Sequence, residues 1–134
     1  MKQFDIVRPS NSIPHNSYGY VTRPNEKYSD EEHILGMRIR IMSAYEGWES
    51  KWYRQNEWDY VVSTVKFDGR DLMIGDWIIG DSMSDIVGQI CHIHYNNNKI
   101  WEYRINIVPG ESYTEYIYPD QIVRFYSLPR NFEF

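Results

Sequence analysis

The reactive side chains of this chain gather in one place, Cys91-His92-Ile93-His94. On an extended strand successive side chains alternate, so His92 and His94 share one face, and Cys91, Ile93 and Tyr95 take the other. Two histidines at i and i+2 can chelate a metal, but zinc needs three or four ligands. The other histidines, His15 and His33, fall in a predicted loop and at a predicted helix start, so no metal site is expected. A nucleophilic thiol needs a lowered pKa, hence a neighbouring base or cation. His92 is adjacent but on the opposite face, and Cys91 is expected to pack as a small apolar residue. Asp68, Asp71, Asp76, Asp81 and Asp85 lie in predicted turns and at strand starts, where Asp serves backbone hydrogen bonds. No Gly-rich phosphate loop, Walker pattern or His-Glu-x-x-His is present. These features imply a protein with no catalysis and no cofactor.

Binding chemistry is richer. The stretch Tyr45-Glu46-Gly47-Trp48-Glu49-Ser50-Lys51-Trp52-Tyr53-Arg54 concentrates the residue types that dominate protein interfaces. Trp, Tyr and Arg bring large contact area at modest entropy cost. Tyr45, Trp48, Trp52, Tyr53 and Arg54 are the expected contacts to a protein partner, with one of Trp52 and Tyr53 turned into the core. An alternative uses Arg38 and Arg40, which share a strand face opposite Met37, Ile39 and Ile41. Together with Lys51, Arg54 and the tryptophans they could form a stacking-plus-phosphate surface for DNA or RNA.

The bulk composition limits the partners. Residues 1–66 balance nine Lys/Arg against nine Asp/Glu, whereas residues 67–134 hold five against ten, which accounts for the net charge of −5. Only the first half could offer a basic surface to a polyanion. Mean hydropathy is −0.63, and no apolar run approaches the roughly 18–20 residues that span a bilayer. A single cysteine excludes an intrachain disulfide and a cysteine zinc cluster, so a reducing, cytoplasmic setting is expected. One alanine, Ala44, stands against sixteen isoleucines and nine asparagines. That bias fits an A/T-rich coding sequence, as in lytic phages and low-GC bacteria. It suggests a small phage-type accessory protein acting on host machinery.

The elements that must position these residues are strands. Gly75–Ile79, Ile86–Ile93, Ile100–Val108 and Tyr116–Val123 are short runs rich in Ile, Val, Tyr and Trp with period-two alternation. Asn96-Asn97-Asn98 has hairpin chemistry, and Pro109-Gly110 ends the third run. The first half repeats this order. Phe4-Asp5-Ile6-Val7 corresponds to Gly75-Asp76-Trp77-Ile78, and Tyr18-Gly19-Tyr20-Val21 to Val87-Gly88-Gln89-Ile90. Arg38-Ile39-Arg40-Ile41 corresponds to Arg104-Ile105-Asn106-Ile107, and Trp52-Tyr53 to Tyr116-Ile117. Four blocks in one order argue for an internal duplication.

The recurring pattern resembles the SH3-like barrel superfamily in its KOW and Tudor-like branches. The second copy carries the resemblance in Gly75-Asp76-Trp77-Ile78, Trp101-Glu102-Tyr103-Arg104-Ile105 and Tyr118-Pro119-Asp120-Gln121-Ile122. The first departs from it, with Phe4 at the opening Gly and Trp58 at the closing aliphatic position. The resemblance implies an all-β chain of two small SH3-like barrels, residues 1–66 with long loops and residues 67–134 with a C-terminal tail. Ser29-Asp30-Glu31-Glu32 has the form of a capping box, so one short helix is expected near residues 29–35.

Overall fold

The computed structural model describes residues 1–10, 17–27, 35–43, 47–81, 85–107 and 114–129. The first half forms β1 (Ile6–Pro9), β2 (Gly19–Lys27), β3 (Leu35–Ser43), β4 (Gly47–Arg54) and β5 (Trp58–Val62). After it come β6 (Val65–Lys66), which joins the second sheet, and β7 (Trp77–Asp81), β8 (Asp85–Asn96), β9 (Lys99–Asn106), β10 (Thr114–Ile117) and β11 (Ile122–Tyr126). All described pairings are antiparallel, in two sheets ordered β4-β3-β2-β1-β5 and β10-β9-β8-β7-β11-β6. The chain is therefore all-β. Among the described residues neither sheet closes into a barrel, because β5 does not pair with β4, nor β11 with β10. Of the helix expected near residues 29–35, residues 29–34 lie outside those described, and Leu35 already belongs to β3. No helix among the described residues is long and apolar enough to cross a membrane.

The two halves match in detail. Asp5 accepts from the backbone N–H of Lys2 at 2.7 Å, and Asp76 from that of Met73 at 2.9 Å. The same carboxylates accept from Ser63 Oγ at 2.7 Å and Ser127 Oγ at 3.2 Å, which ties the start of each half to its end. Phe4 and Gly75, which precede them, both have positive φ, 67° and 98°. Gly suits that region; Phe takes it at a steric cost. A 3-10 turn, Gln55–Glu57 or Pro119–Gln121, joins the fourth matching strand to the fifth. Gly19 and Gly88 occupy equivalent strand positions where a Cβ would come within 2.4 Å of Ile41 and of the Asn106 carbonyl oxygen, respectively. Close strand approach explains why the sequence repeats Gly there.

Alternation divides the apolar residues between three cores. Val7, Val21, Met37, Ile39, Ile41 and Trp58 fill the first sheet's inner face. Ile78, Ile90, Tyr103, Ile105, Ile117 and Phe125 belong to the second sheet's core. The residues preceding Val7 and Ile78, namely Ile6 and Trp77, point the other way and meet Tyr18, Tyr20, Ile79 and Val87 between the halves. Each fully buried side chain of this kind contributes roughly 1.5–3 kcal/mol. Tyr18 and Trp77 meet edge to face at 4.7 Å, and the Tyr18 N–H donates to the Ile107 carbonyl at 3.3 Å. Three positions that correspond in the two halves (Ile6 and Trp77, Tyr18 and Val87, Val62 and Tyr126) lie in or against this one cluster. The halves thus pack through the same face of each sheet.

Candidate functional site

The face of β3 and β4 turned away from the first core gathers Arg38, Arg40, Ser50 and Trp52. Register sets Arg38 opposite Trp52 and Arg40 opposite Ser50, while Met37, Ile39 and Ile41 turn inward. Arg38 Nε donates to Ser50 Oγ at 3.0 Å, which lays its guanidinium along the sheet. Arg23, exposed on β2, pairs in register with Arg38 and completes a cross-strand row, Arg23–Arg38–Trp52. Arg54 ends β4 on the same side by alternation and is exposed; its N–H donates to Glu57 Oε2 at 3.1 Å.

The remaining expected contacts divide. Tyr53 faces inward, half-buried, with its ring 5.0 Å from Trp58. Lys51 is exposed but lies opposite Ile39, on the other side of the strand from Trp52. Trp48 pairs with Met42 in the backbone register, and its side chain, like the whole of Tyr45, lies outside the described residues.

The second half repeats the row. β9 and β10 set Arg104 opposite Tyr116, and β8 sets His92 opposite Arg104. The Arg104 guanidinium lies 4.7 Å over the Tyr116 ring and donates to its hydroxyl. His94 stands 4.5 Å from the His92 ring and 6.0 Å from Tyr116, with Nδ1 3.9 Å from Glu102 Oε1. Between His94 and Tyr95 the register slips, leaving Trp101 as an extra residue on β9. Its ring lies 6.1 Å from Tyr118. Trp101, Tyr116 and Tyr118 are 51%, 47% and 44% exposed, so the second half displays more described aromatic surface than the first. Reading the Tyr45–Arg54 stretch alone misses this face. The sequence correspondence between the halves contained the signal, because it aligns Trp52 with Tyr116 and Arg38 with Arg104.

Cys91 differs from expectation. It is exposed, at a bulge between Ile90 and His92, and its thiol donates to the Arg104 carbonyl at 3.4 Å. Desolvation by the surrounding strands, ahead of the opposing pull of Arg104, pushes its pKa up, so the thiol keeps its proton. Among the described residues no group of three or more His, Cys, Asp or Glu is placed to hold a metal ion. A cleft of about 160 Å³ opens between the halves, with Phe4 and Tyr20 on one wall and Ile79, Gly80 and Arg124 on the other. Arg124 stacks over Phe4 at 4.5 Å and donates to Thr64, so it serves as a strut of the junction.

Comparison with protein-family models, with curated proteins and with solved structures finds no significant match for this chain.

Proposed function

We propose that this is a non-catalytic binding protein made of two copies of one SH3-like unit, residues 1–66 and 67–134. It docks through the outer β3–β4 face onto an acidic surface of a partner protein. The observation that carries the docking reading is the cross-strand row Arg23–Arg38–Trp52, continued by Arg40 and Arg54 on the same side. Trp beside Arg is the composition of an interface hot spot, and a face of four arginines complements an acidic partner. The duplication reading is supported by matched strand order, paired Asp turns, paired 3-10 turns and equivalent bulges. Val65 and Lys66 fall in the first copy by sequence and pair with β11 of the second sheet, which links the copies.

The same row favours one second reading, a single-stranded nucleic acid stacked on Trp52 with its phosphates on Arg38, Arg40 and Arg54. A fluorescence anisotropy titration separates the two. The probes are a labelled Asp/Glu-rich peptide and labelled single-stranded DNA and RNA, over salt from about 50 to about 200 mM. Acidic-peptide binding that weakens about tenfold or more in Trp52→Ala supports the protein reading. Tight DNA or RNA binding with a steep salt slope, reduced in the double variant Arg38→Ala/Arg40→Ala, replaces it with the nucleic-acid reading. No binding of any probe at low salt sinks both.

A further inference from the structure

The two matching faces have diverged in charge. Matching β-strand registers place Arg23, Arg38 and Arg40 of the first half where the second has His92, Arg104 and Asn106. Counting along the matched β4 and β10, Arg54 meets Tyr118. In the following turn Asn56 meets Asp120. Four of these five positions are basic in the first half; in the second, one is basic and one is acidic. Aromatic area rises as charge falls, with Trp101, Tyr116 and Tyr118 all about half exposed.

We propose that the β9–β10 face is a second docking surface, and that it takes a Lys/Arg-rich protein segment. Cationic side chains would lie over the Trp101 and Tyr118 rings, a contact favoured by the negative face of an aromatic system. Asp120, two residues after Tyr118, is exposed. It supplies charge of the complementary sign in a half with five Lys/Arg and ten Asp/Glu. Arg104 keeps its charge, but its guanidinium is stacked on Tyr116 and bonded to the Tyr116 hydroxyl, so it occupies that ring and leaves Trp101 and Tyr118 to the ligand. Two faces of one scaffold then hold partners of opposite charge, which makes the chain an adaptor. The inference rests on reading these sheet faces as docking surfaces, but it concerns a different face and an opposite ligand.

The test uses the full chain and a labelled peptide of alternating Arg and Gly, with an alternating Glu and Gly peptide as control. Binding of the Arg peptide is expected to fall about tenfold or more in Trp101→Ala and in Tyr118→Arg, and to survive Tyr118→Phe, which keeps the ring. Trp52→Ala is expected to leave it unchanged while weakening the Glu peptide. Circular dichroism of each variant confirms that the sheets persist. Equal binding of the Arg peptide by wild type, Trp101→Ala and Tyr118→Arg would show attraction to overall charge alone and overturn the proposal. So would absence of Arg-peptide binding at low salt. Loss of Glu-peptide binding alone would fault the first face and leave this one standing.

Discussion

Thr22 and Cys91 perform the same task in the two halves: each is the extra residue of a bulge, and each donates to the carbonyl of the matching arginine. The Thr22 hydroxyl reaches Arg38 O at 2.9 Å, and the Cys91 thiol reaches Arg104 O at 3.4 Å. Both bulges sit one residue before the side chain that pairs with that arginine, Arg23 or His92. The bulge turns the following residue onto the outer face, so it places the third member of each cross-strand row.

Cys91→Thr is therefore expected to be tolerated. A hydroxyl is the stronger donor, and the net change in stability should lie within about 1 kcal/mol of zero or slightly above it. Urea unfolding of the variant checks this. A loss of more than about 2 kcal/mol would show that the two bulges are not interchangeable.

Asp76 is fully buried and accepts from Met73 N, Ser127 Oγ and Leu128 N. Removing the carboxylate leaves those donors unsatisfied, so Asp76→Ala should cost upwards of about 3 kcal/mol. Asp5→Ala should act in the same direction, since Asp5 is nearly as buried and accepts from Lys2 N and Ser63 Oγ. Denaturation midpoints of the two variants test both, and a neutral Asp76→Ala would be incompatible with the turn described.

Phe4 gives an ordering rather than a single number. Its left-handed backbone costs about 1–2 kcal/mol, which glycine would avoid and alanine would not. Its ring lies 6.3 Å from Tyr20 and beneath Arg124, so truncation opens the junction between the halves. Both variants should be destabilised, Phe4→Ala more than Phe4→Gly by about 1 kcal/mol. The reverse order would mean that φ at this position is not positive in solution.

Tyr103 accepts from the buried Leu72 N–H at 3.0 Å, and burial, its largest influence, raises the phenol pKa. The folded pKa exceeds the unfolded value near 10, so the unfolded phenol ionises first as pH climbs. This contribution is complete below about pH 10 and is lost as pH rises through the folded pKa. Tyr18 is shifted in the same direction, again chiefly by burial. Tyr103→Phe should cost about 1–3 kcal/mol near neutral pH, from the orphaned Leu72 N–H. It should also make the alkaline loss less steep without abolishing it. Thermal midpoints from about pH 8 upward provide the measurement.

The amino-acid pattern alone determined the all-β class, the Asn97-Asn98 reversal and the repeated strand order, because alternation and turn chemistry act over a few residues. Both asparagines take positive φ, as that chemistry requires. It also placed His92 and His94 together and turned Arg38 and Arg40 opposite Met37, Ile39 and Ile41. Tertiary structure decided the rest. A bulge shifts every later side chain to the other face, so the exposure of Cys91 and the position of Trp101 depend on pairing between strands. Which of Trp52 and Tyr53 turns inward was settled by Trp58, which comes from a different strand. Which sheet face is covered was settled by the other half of the chain, through Ile6, Tyr18 and Trp77. Contacts between residues distant in sequence leave no local period, and only the folded chain brings them together.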